Sequence, residues 1–383
     1  MSFQKTEEQE LLLESLREVY KRGNFEDYFK ECEKNHQFPE KAAKVMVDAG
    51  FAKLGIPEEY GGTACDDLTN VMVHEEAFAL GWPSMCWVNQ YLAVDDILAF
   101  GNEKQKQACL KLGLQGIKPF TFGFTEPQAG SDNSAMAAKV ERKDGKVIIN
   151  GHKTFNSWGN RSPNMLCIVR EHKNPNPYKD FSMYLLSLKQ PGIQMEKLDK
   201  IGNLMVQTFE VYLKDCEVQE SDLVGEAGKG FYQLMKNFEA ERLIGCTANV
   251  GMARCAYNEA VKYAGVREQF GKTIGTFQLI QEKIVDMKIK IENMQNMLYK
   301  AAWKKQNGIS IMIDSSLVKR YTGQAAFQVI DDAMQIMGGI GYTNDCRVSR
   351  LWRDQRVYRI MAGTEEIMVH TAGRALIKEA QKG

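Results

Sequence analysis

The hydrophobic period changes twice along the chain, which restricts it to folds that place a β-rich segment between two helical ones. From about residue 7 to residue 113, apolar residues recur at intervals of three and four, as in Leu11, Leu12, Leu16 and Val19, and again in Ala42, Val45, Met46 and Ala49. Turn formers interrupt this at Ile56-Pro57-Glu58-Glu59-Tyr60-Gly61-Gly62, because proline lacks an N–H and paired glycines favour a bend. Residues 84–100 resume as a mostly apolar helix carrying Trp87, Asn89, Tyr91, Asp95 and Asp96. Near Pro119 the pattern turns β-like. Asp144-Gly145 and Asn150-Gly151 are hairpin-type dipeptides, and residues 165–170, 181–188 and 208–213 are rich in branched and aromatic side chains. After Gly228-Lys229-Gly230 the helical period returns, clearest in Ile284, Met287, Ile291, Met294, Leu298 and Ala302, a seam expected to face neighbouring helices of a bundle. The expected organisation is an N-terminal α-helical domain over 1–118, a middle β-domain over 119–226 and a C-terminal helical bundle over 227–383.

A chain of 383 residues has the length for two or three domains and a buried ligand. Lys plus Arg balance Asp plus Glu at 49 each, so bulk charge gives no reason to expect nucleic acid or an anionic membrane as partner. Nine cysteines without a Cys-x-x-Cys pair argue against a disulfide framework or a zinc site, and no metal is expected. The first residues lack an apolar signal core and are too acidic for a transit peptide, and no run approaches the roughly 20 apolar residues of a membrane span. A cytoplasmic location is expected.

Four strings carry chemistry. In Phe122-Gly123-Phe124-Thr125-Glu126-Pro127-Gln128-Ala129-Gly130-Ser131-Asp132, breakers flank short hydroxyls, so a loop presents O–H and N–H groups suited to a polar, ring-bearing ligand. Asn150-Gly151-His152-Lys153-Thr154-Phe155-Asn156-Ser157 follows it, with Trp158 next. Arg267-Glu268-Gln269-Phe270-Gly271-Lys272 with Gln278 offers a guanidinium fork that matches a pyrophosphate. Gln335-Ile336-Met337-Gly338-Gly339-Ile340-Gly341-Tyr342 allows close backbone approach to a diphosphate.

Together these strings resemble the acyl-CoA dehydrogenase family essentially end to end. The resemblance implies an N-terminal all-α domain, a middle small β-barrel-like domain and a C-terminal four-helix bundle, with FAD as cofactor and an acyl-CoA or enoyl-CoA as substrate. It implies that Phe122, Phe124, Thr125, Gly130 and Ser131 line the flavin, with Ser131 also toward substrate. Phe155 would pack on the isoalloxazine beside Asn156, with the Ser157 hydroxyl at N5. Arg267, Gln269, Phe270 and Gln278 would reach the FAD of a neighbouring subunit, and Gln335, Ile336, Gly338 and Gly339 the adenosine side, so a homotetramer is implied. Thr364 and Glu366 would also face FAD. Electrons would pass to an electron-transferring flavoprotein, and nothing resembles a nicotinamide fingerprint.

In this family a carboxylate removes the α-proton while the β-hydrogen leaves as hydride. Many members place that Glu directly before Gly-Thr, where this chain has Ala362-Gly363-Thr364-Glu365-Glu366. Methyl cannot accept a proton. Other members carry the base in a Glu-Arg pair on the helix after the β-domain, and Phe238-Glu239-Ala240-Glu241-Arg242 assigns it to Glu241, with Glu365 and Glu366 as rivals. Arg242 and Glu239 would contact substrate, and Ala362 and Gly363 would border the thioester through backbone N–H. Within the family the chain is similar to the crotonobetainyl-CoA reductases of carnitine metabolism, through Ile56-Pro57-Glu58-Glu59, residues 277–283, 296–299 and 349–354. Substrates of that group carry a trimethylammonium, which calls for aromatic faces or carboxylates. Trp87 and Tyr91, with Asp95, are expected to line the acyl pocket. A short- or branched-chain dehydrogenase, an acyl-CoA oxidase and a non-catalytic helical scaffold are the alternatives.

Overall fold

The computed structural model describes residues 5–171 and 174–381, apart from the side chains of residues 88–93, so the expectation for Tyr91 lies outside the described residues. Among the described residues six α-helices come first: α1 (Glu7–Gly23), α2 (Glu26–Lys34), α3 (Glu40–Asp48), α4 (Asp67–Ala79), α5 (Ser84–Phe100) and α6 (Glu103–Leu114). Their starts are written in local chemistry. Thr6 with Gln9 and Asn102 with Gln105 form capping boxes on α1 and α6, satisfying N–H groups that have no helical acceptor.

Eight strands follow: β1 (Phe120–Gly123), β2 (Lys139–Lys143), β3 (Lys146–Ser157), β4 (Asn164–Arg170), β5 (Phe181–Ser187), β6 (Ile193–Leu198), β7 (Thr208–Val218) and β8 (Leu223–Val224). They form one sheet in the order β6-β7-β3-β2-β4-β5-β8, with β1 added parallel to β4. Asp144-Gly145 makes the two-residue β2–β3 turn, with both residues at positive φ of 53° and 76° as that hairpin requires. Asn150-Gly151 does not turn the chain; it sits inside β3 at a register shift against β7. The reason is contact: a Cβ at Gly151 would lie 2.4 Å from the Ala138 Cβ, so glycine there lets the strand pass a neighbour.

The C-terminal third comprises α7 (Gly230–Val266), the short hairpin β9 (Glu268–Gln269) and β10 (Lys272–Thr273), α8 (Gln278–Gln306), α9 (Met312–Met337), α10 (Arg347–Gln355) and α11 (Glu365–Ala380). Of the seam anticipated from the sequence, Met287, Ile291, Met294, Leu298 and Ala302 are buried, and Ile284 packs against them. Helix α7 runs between the first helical group and the bundle, and its residues join the core of both. Glu75 of α4, fully buried, accepts from Arg254 of α7 at 2.8 Å and Gln295 of α8 at 2.6 Å, which fixes the three helices together.

Candidate active site

The loop between β1 and β2 is held from below. Glu126 accepts from Lys153 Nζ at 2.7 Å, from the N–H groups of Ala137 and Ala138 at 2.6 and 3.0 Å, and from Gln128 at 2.7 Å. Lys153 also donates to the Phe124 carbonyl at 3.3 Å, and the Thr154 N–H to the Thr125 carbonyl at 2.9 Å. Burial alone would raise the Glu126 carboxyl, but Lys153 and the two N–H donors outweigh it and hold it below the usual range. The loop is thereby sewn to β3, while Thr125 stays half-buried and Gly130 and Ser131 stand at the surface.

Just beyond Lys153 a second register shift breaks the β3–β7 ladder, and Phe155 adopts a left-handed φ of 57° with 66% of its surface exposed. A large aromatic held outward in a disfavoured conformation is a face prepared for a flat ligand. Asn156 turns inward. Its Nδ2 donates to the Phe209 carbonyl at 3.2 Å, while its buried Oδ1 has no partner among the described residues. Ser157 Oγ and Thr208 Oγ1 share a hydrogen bond of 3.0 Å at the strand end. Trp158 is buried against Phe38 with ring centroids 4.9 Å apart, so of the two aromatics Phe155 is the one left exposed. Phe122 and Phe124 are half-buried behind the loop, the latter against Phe238 of α7. Exposed ring, open Gly130, hydroxyls and an orphaned amide oxygen fit the flavin end of FAD.

Glu241 lies in α7 and is buried. It borders a cavity of about 20 Å³ together with Arg242, Gly245, Lys319, Tyr358 and Ala362. Burial raises its carboxyl to about 8; Asp95 adds to the rise, and Lys118 and Arg242 oppose it. Lys118, buried just before β1, is itself lowered by burial to about 8. The Arg242 Nε is buried without a partner among the described residues, leaving a guanidinium donor at the cavity wall. Glu239 is half-buried nearby on the same helix, its carboxyl raised by burial. Ala362 and Gly363 both have positive φ, 54° and 91°, and no hydrogen bond among the described residues uses the Ala362 N–H. Lys319 of α9 holds this turn by donating to the carbonyls of Tyr358 at 3.2 Å and Gly363 at 2.6 Å.

The rival carboxylates are otherwise engaged. Glu365 is buried between Arg320 at 3.0 Å and Arg359 at 2.6 Å and also accepts from Gln324 at 3.1 Å. Glu366 is exposed in the first turn of α11, and the Thr364 hydroxyl caps that helix by accepting from the Ile367 N–H at 3.3 Å.

A second cavity of about 190 Å³ is lined by Asp67, Asn70, Asp95 and Lys305 with Leu243 and Ile244 of α7, and Asp95 acts on the Glu241 carboxyl from it. Trp87, expected on the substrate face, is instead buried in the core with its ring tilted over His74 at 6.5 Å. Eight residues along a helix turn the side chain by about 80°, so residues 87 and 95 point to the two edges of one broad face. Asp95 reaches the cavity and Trp87 packs inward.

The remaining expected cofactor contacts sit at helix ends. Arg267 ends α7, Gln269 and Phe270 lie on the β9–β10 hairpin, Gln278 begins α8, and Gln335, Gly338 and Gly339 end α9, all exposed. The Ile336 side chain, expected at the cofactor, is instead buried in the core. Sequence reading assigned no role to Lys153, Glu126, Lys118 or Lys319. For Lys319 a signal existed: it falls on the small-residue stripe of Ser315, Thr322 and Ala326, where a solvated Lys does not belong.

Models of the acyl-CoA dehydrogenase N-terminal, middle and C-terminal domains match residues 6–116, 121–216 and 228–377. The chain is 43% identical over 382 residues to the probable acyl-CoA dehydrogenase YdiO of Escherichia coli K12, covering 100% of both. Among solved structures it is similar to butyryl-CoA dehydrogenase from Megasphaera elsdenii, at 29% identity and a TM-score of 0.92 over 98% of this chain and 100% of that one. A chain in the structure of the electron transferring flavoprotein of Acidaminococcus fermentans is 31% identical with a TM-score of 0.92, over 99% of this chain and 100% of that one. From the matched domains and the full-length relative, the protein belongs to the acyl-CoA dehydrogenase family of enzymes, which carry out flavin-dependent acyl-CoA oxidoreduction.

Proposed function

We propose that Glu241 is the base that exchanges the α-proton between an acyl-CoA and its 2,3-enoyl-CoA. The carrying observation is that the Glu241 carboxyl and the Ala362 turn border one cavity, while Glu365 is held by two arginines. Carbonyl oxygen of the thioester accepts from the free Ala362 N–H, which stabilises the enolate that forms as Glu241 takes the proton; one such pre-positioned donor is worth about 3 kcal/mol. Glu241 then holds the proton in a site whose burial favours the neutral acid. FAD, when bound at Phe155, Thr125 and Ser157, supplies the acceptor for the β-hydrogen and its electron pair. Arg242 offers its unpartnered Nε to the substrate, and Glu239 a polar contact toward the CoA side.

The substrate is crotonobetainyl-CoA or γ-butyrobetainyl-CoA, with the trimethylammonium directed at Asp95. Support comes from the carboxylates that border the 190 Å³ cavity, where Lys305 already pairs with Asp67 and Asp95 makes no hydrogen bond or ion pair among the described residues. The assembly is a homotetramer: exposed Phe270 (94%), Leu279 (75%) and Tyr342 (83%) crowd the β9–β10 hairpin and the adjoining helix ends, an apolar surface suited to a second copy. An electron-transferring flavoprotein is the redox partner, and the enzyme works in the cytoplasm. No described helix is long and apolar enough to cross a membrane.

The test is anaerobic bleaching of the holoenzyme's flavin by γ-butyrobetainyl-CoA and by butyryl-CoA, for wild type and Glu241→Gln. Bleaching in the wild type should be at least about 100-fold slower in the variant. Equal rates in both would move the base elsewhere, and faster bleaching by butyryl-CoA would remove the cationic substrate.

A further inference from the structure

We propose that Lys319 is a positioning residue for the reaction, holding the turn that presents the Ala362 N–H to the thioester oxygen; this rests on the Glu241 reading above. The segment from Tyr358 to Thr364 links α10 to α11 and passes through consecutive left-handed residues, Ala362 and Gly363. Left-handed backbone is disfavoured by roughly 1–2 kcal/mol at a residue bearing a Cβ, so a turn with alanine there needs outside support to persist. Lys319 supplies it from a separate helix. Its ammonium spans the loop, donating to the Tyr358 carbonyl at 3.2 Å on one side of Ala362 and to the Gly363 carbonyl at 2.6 Å on the other.

With the Tyr358 carbonyl four residues before Ala362 and the Gly363 carbonyl one residue after it bound to the same ammonium, the intervening segment loses freedom to rotate, and the Ala362 N–H keeps one direction. Lys319 and Ala362 also border the cavity that Glu241 enters, so the clamp and the base act on the same space. A lysine 5% exposed adds nothing to solubility, and burial without a carboxylate directly bonded to it is unfavourable unless backbone carbonyls take its protons. Among the described residues its two hydrogen bonds both go to this segment. The arrangement resembles a peg through a hinge: remove the donors and the turn relaxes toward ordinary φ values, turning the N–H away.

The experiment compares wild type, Lys319→Met, Lys319→Gln and Glu241→Gln as FAD-loaded holoenzymes, reading the infrared C=O stretch of bound carbonyl-labelled crotonyl-CoA alongside steady-state kinetics. Polarisation by a fixed N–H lowers that frequency on binding. Lys319→Met, matching in length but without donors, is expected to lose most of the lowering and to drop kcat by roughly 10- to 100-fold, with KM changed less than about 3-fold. Lys319→Gln, which keeps N–H donors on a shorter stem, should lie between, and it carries the test if the Met variant does not hold FAD. Full lowering and wild-type kcat in a Lys319 variant would overturn the proposal. Glu241→Gln should lose turnover while keeping the lowered frequency. If Glu241→Gln instead turns over normally while a Lys319 variant loses the lowering, the base assignment falls and the role of Lys319 stands.

Discussion

At the residue scale, the pair Lys153–Glu126 shows how a buried charge serves a site it does not touch. The two side chains are 0% and 2% exposed, at a distance of 2.7 Å. Lys153→Met would leave Glu126 with its backbone donors but no cation, and loss of one partner of a buried pair typically destabilises by about 3–5 kcal/mol. A lowered thermal midpoint is therefore expected, accompanied by weaker FAD retention because the Thr125 loop loses its anchor; adding Glu126→Gln should recover part of the midpoint. Thermal melts of apo and holo protein check both. The residue types of this network were visible in Thr-Glu-Pro-x-Ala-Gly and Gly-His-Lys, but their pairing was not, because 27 positions separate the partners.

At the element scale, α7 joins the two helical groups, and its contact with α4 depends on Gly251. A Cβ there would fall 2.5 Å from both the Glu75 carbonyl oxygen and the Phe78 Cβ, neither of which is a flexible tip. Gly251→Ala should force the helices apart and destabilise by about 1–3 kcal/mol, the usual range for overpacking, although alanine favours a helix more than glycine does. Urea unfolding would read it; an unchanged or higher midpoint would show that propensity outweighs the clash. Helices and strands themselves were legible from period and breakers, since capping, branching and the Asp144-Gly145 turn are local. Asn150-Gly151 was not: the same dipeptide makes a hairpin or a bulge according to what crosses it, and here Ala138 crosses it.

At the scale of the whole molecule, the environment of Glu241 is assembled from separate regions: Asp95 on α5, Lys118 ahead of β1, and Arg242 on α7 itself. Because burial raises the carboxyl to about 8, the free enzyme should be largely protonated, and inactive in α-proton removal, well below that pH. Accordingly kcat/KM for dehydrogenation should rise with pH through about 8, and Lys118→Met should move this rise to higher pH by removing the cation that favours the carboxylate. A pH–rate series on both proteins decides it. By itself the sequence determined the succession of helical, β and helical parts and the flavin-loop strings, because these are carried by local period and contiguous motifs, and it put Glu241 forward as the candidate base because position 362 is alanine. Only the tertiary structure decided that Glu365 is locked between arginines, that Trp87 faces the core while Asp95 faces a cavity, and that Lys319 clamps the Ala362 turn. Each of these depends on side chains brought together from distant elements, where burial and Coulomb forces act on distance in space and not on separation along the chain.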